Sequence, residues 1–121
     1  MAYEFGSLVP ELRPYAEALL AVLQQSGLNP RVTSTMRSIA DQKRLYADFL
    51  QGRSRYPAAA PGRSPHNYGW AFDIAINDDS YLQDAGELWE SWGGTWGGRF
   101  KDPIHFELGG ASAYIRSQFG S

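Results

Sequence analysis

The sequence contains no cysteine, and this limits how the chain can be held together. Disulfide bridges, thiolate zinc sites and iron–sulfur clusters are excluded, and so is a cysteine nucleophile. The fold must therefore rest on a hydrophobic core. A chain of 121 residues, of which 43% are hydrophobic, is long enough to build one such core. We expect a single domain over residues 1–121.

The charge balance excludes some classes of partner. The net charge is −2, so the basic excess that nucleic acid or an anionic membrane would require is missing. No apolar stretch is long enough to cross a bilayer. The first residues lack the basic and apolar regions of a Sec-type signal peptide. We therefore expect a monomer that has no nucleic-acid partner and does not insert into membranes. We expect it to be made in the cytoplasm and, if it is exported, to leave by a route other than the Sec pathway.

The spacing of apolar residues predicts four helices and three strands. The helices are expected over 7–26, 38–50, 81–90 and 111–119, and the strands over 31–35, 71–76 and 104–108. This order of elements predicts an α+β fold, with helices packed on one face of a small antiparallel sheet.

Two of the helices carry apolar residues that we expect to face the core. In the first helix, with Ser7 as its N-cap, these are Leu12, Tyr15, Leu19, Val22 and Leu23. In the second helix, which begins at a capping box of Ser38 and Asp41, they are Ile39, Leu45, Tyr46, Phe49 and Leu50.

The strand over 71–76 has one polar position on a small-residue face. Alternation puts Phe72 and Ile74 on one side and Asp73, between two alanines, on the other. That open face is suited to binding. The Pro- and Gly-rich segment over 52–65 either borders a site or is a solvated loop.

The sequence has only two histidines, His66 and His105. A catalytic zinc takes three protein ligands, so the one nitrogen-rich set available is both histidines with an Asp or Glu. If the strands pair so that Asp73 lies beside His105, these two and His66 surround one point. The alternative is that His66 is a hydrogen-bonded surface group and that Asp73 caps a turn.

Two further residues suit peptide hydrolysis at such a site. Asp102 stands three residues before His105 and is placed to act as general base. Arg37, at the junction of a strand and a helix, is a candidate to stabilise an oxyanion, or else an ordinary ion-pair partner. Asp73 and Asp102 also fit a glycosidase acid–base pair, but the histidines would then have no role.

Four segments form a pattern. They are Ser64-x-His66-x-x-Gly69-x-Ala71-x-Asp73, then Asp102-x-x-His105-Phe106-Glu107, an upstream Arg37-Ser38 with Gln42 and Leu45-Tyr46, and the Trp/Gly-rich stretch from Trp89 to Gly98. The pattern resembles the zinc-dependent family of D-alanyl-D-alanine carboxypeptidases and L-alanyl-D-glutamate endopeptidases, which includes phage endolysins. The resemblance spans about residues 31–108.

The resemblance implies a role for each matched residue. His66, Asp73 and His105 match the ligands of one zinc ion, Asp102 the general base, and Arg37 the group that stabilises the tetrahedral intermediate. Supporting or substrate-contacting positions are implied for Ser64 and Gln42. Glu107 either orients a ligand imidazole or is a surface carboxylate, and Trp96 either lines a peptide groove or belongs to the core.

The implied function is hydrolysis of peptidoglycan stem peptides at the bacterial cell wall. We expect an L-alanyl-D-glutamate endopeptidase of endolysin type, delivered by phage lysis or another route and without a separate wall-binding domain. The alternatives are a D-alanyl-D-alanine carboxypeptidase and a non-catalytic zinc-containing binding domain, as in the similar Hedgehog signalling domain.

Overall fold

The computed structural model describes residues 4–119 as four helices, four strands and short 3-10 turns. In chain order the elements are α1 (Arg13–Gln25), β1 (Arg31–Ser34), α2 (Ile39–Leu50), β2 (Ala71–Ala75), α3 (Leu82–Ser91), β3 (Thr95–Trp96), β4 (His105–Glu107) and α4 (Ala111–Phe119). The strands form one antiparallel sheet in the order β1-β2-β4-β3. The predicted α+β class is confirmed. Among the described residues, no helix combines the length and the apolar character needed to span a bilayer.

One face of the sheet is apolar, and helices α1 and α3 cover it. Phe72 and Ile74 of β2 and Phe106 of β4 are fully buried there. The Phe72 ring stacks on Phe106 at 5.7 Å and meets Trp89 of α3 edge-on at 5.4 Å. Burial of each such side chain contributes about 1.5–3 kcal/mol. The main hydrophobic cluster therefore lies on this side of the sheet, and Asp73 of β2 faces the opposite side.

Helix α1 begins later than predicted. Its first residue is Arg13, and Pro14 occupies the first turn, where its missing N–H costs no hydrogen bond. Ser7 is not an N-cap, because its hydroxyl bonds to Thr35 Oγ1 instead, at 3.1 Å. The buried stripe is also rotated from the expected one, so Tyr15 and Val22 are exposed. The buried residues of the helix are Ala16, Leu19, Leu20 and Leu23.

Helix α2 does not pack on the core, and the prediction for its apolar residues is wrong. Ile39, Phe49 and Leu50 are 55%, 40% and 65% exposed, and Leu45 is also exposed. The only buried residue of α2 is the polar Gln42. Ser38 is the N-cap, as predicted, since its hydroxyl accepts a hydrogen bond from the Asp41 N–H. The Asp41 carboxylate pairs with Arg44. The helix lies at the margin of a polar cleft, so its inner side meets polar groups.

Strand β3 was not predicted from the sequence. It has only two residues, Thr95 and Trp96, between pairs of glycines, and it pairs with Glu107 and Phe106 of β4. A pattern of period two needs at least four residues to be recognised. Its pairing makes β4 an inner strand of the sheet, which fixes the position of His105.

Candidate metal centre and cleft

Three polar side chains meet on the sheet face opposite the core. Asp73 of β2 lies opposite His105 of β4 in the antiparallel register, as the zinc hypothesis required. His66 reaches the same point from the 3-10 turn Pro65–Tyr68. His66 Nε2 lies 3.0 Å from Asp73 Oδ1, and His105 Nδ1 lies 3.3 Å from each of these two atoms. All three residues are buried.

The turn that carries His66 is fixed by its neighbours. The Ser64 hydroxyl accepts a hydrogen bond from the His66 N–H, and Asn67 Oδ1 accepts one from the Ser64 N–H, which forms a capping box. Gly69 ends the turn at φ +72°, and a Cβ there would lie 2.6 Å from the Ser7 carbonyl oxygen. Ser64 therefore shapes the turn that holds His66, and glycine at position 69 permits the close approach of the Ser7 carbonyl.

The outer nitrogen of each imidazole faces a group that accepts hydrogen bonds. His66 Nδ1 lies 2.7 Å from the Thr35 carbonyl oxygen. His105 Nε2 lies 2.6 Å from Glu107 Oε1. Both outer nitrogens therefore carry protons. In the neutral imidazoles the inner nitrogens, Nε2 of His66 and Nδ1 of His105, present lone pairs to the same space as the Asp73 carboxylate.

This donor set fits zinc. Two imidazole nitrogens and one carboxylate oxygen are a ligand set of catalytic zinc sites. With bonds of about 2.0–2.1 Å and tetrahedral angles, zinc ligand atoms lie about 3.3–3.4 Å apart. The three atoms here are separated by 3.0–3.3 Å. The match requires little rearrangement of the side chains.

His66, Asp73 and His105 form a triad whose electrostatics also favour binding of a cation. Burial disfavours charge on His105, but hydrogen bonds and charges from Asp73 and Glu107 outweigh it and raise the pKa of His105 to about 10. Burial opposes ionisation of Asp73 too, yet both imidazoles hold the pKa of this carboxyl well below its ordinary value. The triad therefore attracts one positive charge, which a proton or a metal ion can supply.

Asp102 lies beside the triad. Its Oδ2 is 3.9 Å from His105 Nδ1, and burial raises the pKa of Asp102 to about 6. A carboxyl group with a pKa near the working pH is suited to proton transfer. The backbone holds it in place, because the Asp102 N–H donates to the Gly97 carbonyl and the His105 N–H donates to the Asp102 carbonyl.

Arg37 lies on the other side of Asp73. Its Nη2 is 3.4 Å from Asp73 Oδ2 and donates to Ser34 Oγ at 2.9 Å. Its Nη1 donates to Gln42 Oε1 at 2.8 Å, and Gln42 Nε2 donates to the Ala59 carbonyl. Gln42 therefore holds the guanidinium and joins it to the loop over 52–65. The sequence predicted both residues, but not their contact.

These residues line one cleft of about 600 Å³. The triad, Arg37 and Asp102 lie on its sheet side, residues 56–60 of the loop border it, and α4 adds Ser112, Ile115 and Arg116. Of the two interpretations of the 52–65 loop, the structure therefore supports the one in which it borders a site. A larger depression of about 1080 Å³, between β1 and α2, shares Arg37 and Leu45 with the cleft but contains none of the triad.

Burial decides between the two interpretations given for Trp96 and for Glu107. Trp96 is 6% exposed and belongs to the core, where its indole N–H donates to the Pro103 carbonyl. Of its two interpretations, the structure therefore supports the core residue, and the groove-lining one is wrong. Its ring fills space that a side chain at Gly86 or Gly98 would occupy. Glu107 is fully buried against His105 and is not a surface carboxylate.

Three residues of the site were missed. The carbonyl of Thr35 and the side chain of Ser112 gave no sequence signal, because their contacts depend on how distant segments dock. Gly97 lies in the Trp/Gly-rich stretch that the sequence singled out, but no role beside Asp102 was predicted for it. A Cβ at Gly97 would lie 2.3 Å from the Asp102 carbonyl oxygen.

Residues 6–107 match the family model described as "VanY: D-alanyl-D-alanine carboxypeptidase". The chain belongs to this family. The matched region contains the triad, Arg37 and Asp102, and α4 lies beyond it. Membership of the VanY family confirms the resemblance seen in the sequence and the peptidase class that it implied.

Individual relatives include both types of peptidase. The peptidoglycan L-alanyl-D-glutamate endopeptidase CwlK of Bacillus subtilis (strain 168) is 32% identical, over 85% of this chain and 74% of its own. Among solved structures, a variant of the vancomycin-resistance D,D-pentapeptidase VanY in complex with Zn(II) has a TM-score of 0.68 at 17% identity, over 94% of this chain and 79% of that chain. The L-Ala D-Glu endopeptidase ChiX of Serratia marcescens has a TM-score of 0.63 at 21% identity, over 90% of this chain and 86% of that chain. The solved structures establish that the fold is shared.

Proposed function

We propose that this protein is a zinc-dependent peptidase that hydrolyses peptidoglycan stem peptides at the bacterial cell wall. One observation carries the proposal: the ligand atoms of His66, Asp73 and His105 converge at 3.0–3.3 Å in a cleft that Asp102 and Arg37 also line. The three triad residues would hold a single zinc ion. The Zn(II) complex of the structurally similar VanY supports this choice of metal.

The chain's own residues divide the remaining tasks of hydrolysis. When bound, zinc would supply Lewis-acid chemistry, the kind that polarises a carbonyl group and makes water nucleophilic near neutral pH. Asp102 takes the proton from the attacking water and returns it to the leaving amine, a task that suits its pKa of about 6. The Arg37 guanidinium, fixed by Ser34 and Gln42, donates hydrogen bonds to the developing oxyanion.

The bond cleaved is the one between L-alanine and D-glutamate. The 32% identity to CwlK supports this choice. An endopeptidase also needs room for the peptide on both sides of the reacting bond, and the depression that shares Arg37 and Leu45 with the cleft extends the binding surface on one side. The second candidate is D-alanyl-D-alanine carboxypeptidase activity, which the description of the matching family favours.

The described chain acts as one catalytic unit. Elements from α1 to α4 border either the core or the cleft, and all residues of the proposed site belong to one chain, so a monomer suffices. A non-catalytic zinc domain would not need both Arg37 and Asp102 beside the metal ligands. Their position in the cleft therefore favours catalysis over binding alone.

Mass spectrometry of muropeptides tests activity and bond choice together. The zinc-loaded protein should release fragments with a new D-glutamyl amino terminus. Asp102→Asn should bind zinc normally but lose about 100-fold or more in rate, the usual contribution of a general base. Asp84→Asn, on an exposed position of α3, is the matched control.

Three results would contradict parts of the proposal. Release of free D-alanine would favour the carboxypeptidase alternative, and new reducing ends would indicate a glycosidase. A folded, zinc-loaded wild type that leaves all muropeptides intact would favour the binding domain.

A further inference from the structure

Glu107 connects the triad to the last helix of the protein. It is fully buried on β4, and its carboxylate has three described partners. Oε1 lies 2.6 Å from His105 Nε2 and accepts a hydrogen bond of 2.7 Å from the Ser112 hydroxyl. Oε2 accepts a hydrogen bond of 2.7 Å from the Ser112 backbone N–H. One carboxylate thus bridges a triad imidazole and α4.

The backbone contact alone would be enough to cap the helix. Ser112 is the second residue of α4, where backbone N–H groups have no partner within the helix and a negative charge is favoured. The Ser112 hydroxyl is an additional donor. It is directed to Oε1, the same oxygen that faces His105, and it therefore constrains the atom that orients the imidazole.

The orientation of the His105 ring decides which of its two nitrogens faces Asp73 and His66. With the Nε2 proton directed to Glu107, the Nδ1 atom faces Asp73 Oδ1 and His66 Nε2, at 3.3 Å from each. Partners behind a ligating histidine set its tautomer and ring direction. Release of Oε1 by loss of the hydroxyl would let the carboxylate, and with it the ring, rotate.

We propose that Ser112 is a positioning residue of the metal centre, which acts through Glu107 to present His105 Nδ1 to zinc. The proposal rests on the zinc site of the proposed function, but not on the peptidase reaction. It gives α4, which lies outside the region matched by the VanY family model, a part in metal binding. The competing explanation is that Ser112 only stabilises the start of α4.

Zinc affinity separates the two explanations. Ser112→Ala should raise the zinc dissociation constant about 10-fold, at the lower end of the usual 10- to 100-fold for residues behind a ligand. Ser112→Thr keeps the hydroxyl and should restore the affinity. Ser117→Ala is the matched control, because among the described residues its hydroxyl bonds to the Tyr114 carbonyl of the same helix and to no group of the metal site. Competition with a chromogenic chelator measures the constant for each full-length variant.

Two further measurements exclude a general loss of structure. Thermal unfolding of the metal-free variants shows whether Ser112→Ala destabilises the fold, and the visible absorption spectrum of the cobalt(II)-loaded protein reports the ligand geometry. We expect an altered cobalt spectrum for Ser112→Ala and an unchanged one for Ser117→Ala. Glu107→Gln, as a second variant, should weaken zinc binding at least as much as Ser112→Ala.

Each contrary outcome has a distinct meaning. If Ser112→Ala lowers the unfolding temperature but binds zinc as tightly as Ser117→Ala, the positioning role is wrong and the residue only caps α4. If the wild type itself fails to bind zinc, the metal centre of the proposed function is wrong as well. If the wild type binds zinc but cleaves no peptide, only the peptidase proposal fails.

Discussion

Gly97 offers a test of how closely the catalytic geometry depends on backbone packing. It lies in the 3-10 turn Gly97–Phe100, directly against the segment that carries Asp102 and His105. A Cβ at this position would lie 2.3 Å from the Asp102 carbonyl oxygen and 2.8 Å from His105 Cβ. Because ordinary contact begins at 3.4 Å, Gly97→Ala must move this segment by about 1 Å.

A shift of this size has a large expected effect on catalysis. Misplacement of a reacting group by about 1 Å costs about 100-fold in rate, so kcat/KM for a stem peptide should fall by about that factor. Overpacking should also cost about 1–3 kcal/mol in the free energy of unfolding. Zinc affinity should fall too, since His105 Cβ is one of the displaced atoms.

Gly6→Ala is the matched control for this experiment. A Cβ at Gly6 has no neighbour within 4 Å among residues 4–119, so this variant should behave as wild type. Steady-state hydrolysis, chelator competition and guanidinium unfolding would be measured on both variants. If folded Gly97→Ala keeps kcat/KM within about threefold of Gly6→Ala, the packing argument for Asp102 and His105 is refuted.

Three further predictions concern the ligands, the base and the core. His105→Ala should abolish tight zinc binding in a chelator titration while keeping the circular dichroism spectrum, and retained binding would contradict the ligand assignment. The rate of hydrolysis should increase as pH rises through about 6, because burial raises the pKa of Asp102 to about 6 and only its ionised form accepts a proton. A pH–rate profile that shows no such increase would exclude Asp102 as the base. Phe72→Ala should lower the free energy of unfolding by about 3–5 kcal/mol in guanidinium, because Phe72 is fully buried among aromatic rings; a loss below about 1 kcal/mol would mean that the core is not centred on β2.

The meeting of Asp73 and His105 could be predicted because it depends on simple periodicity. A strand of alternating residues that buries Phe72 and Ile74 must direct Asp73 to the other face. The second strand then needs only to pair in the correct register. Arg37 and Asp102 were found from their nearness in sequence to predicted strand ends, and the fold places both in the cleft.

The orientation of α2 could not be predicted in this way. Ile39, Leu45 and Phe49 form an apolar stripe, and such a stripe indicates which side of a helix is apolar, not what covers it. In the folded chain the buried contact of α2 is the polar Gln42, which bonds to Arg37 and to the Ala59 carbonyl. The polar contact between Gln42 and the Arg37 guanidinium therefore lies on the buried side of α2. A hydrophobicity pattern contains no information about such a contact.

The proton on each imidazole was equally hidden in the sequence. His66 is oriented by the backbone carbonyl of Thr35, and a carbonyl is present at every residue, so no residue type marks it. His105 is oriented by Glu107, whose neighbour in space, Ser112, becomes visible only when α4 docks. Contacts of this kind arise from tertiary packing and are not encoded in local spacing.

The proposed metal centre would also join parts of the chain that lie far apart in sequence. His66 comes from a turn held by the residue after β1, Asp73 from β2, and His105 from a three-residue strand backed by α4. A ligand that binds only this arrangement stabilises the folded state by about 2.7 kcal/mol at one hundred times its dissociation constant. The sequence has no cysteine and no third histidine, so the unfolded chain offers zinc few competing ligands. On the proposed assignment, two histidines suffice for one site, and because the unfolded chain has few competing ligands, zinc would bind mainly the native fold.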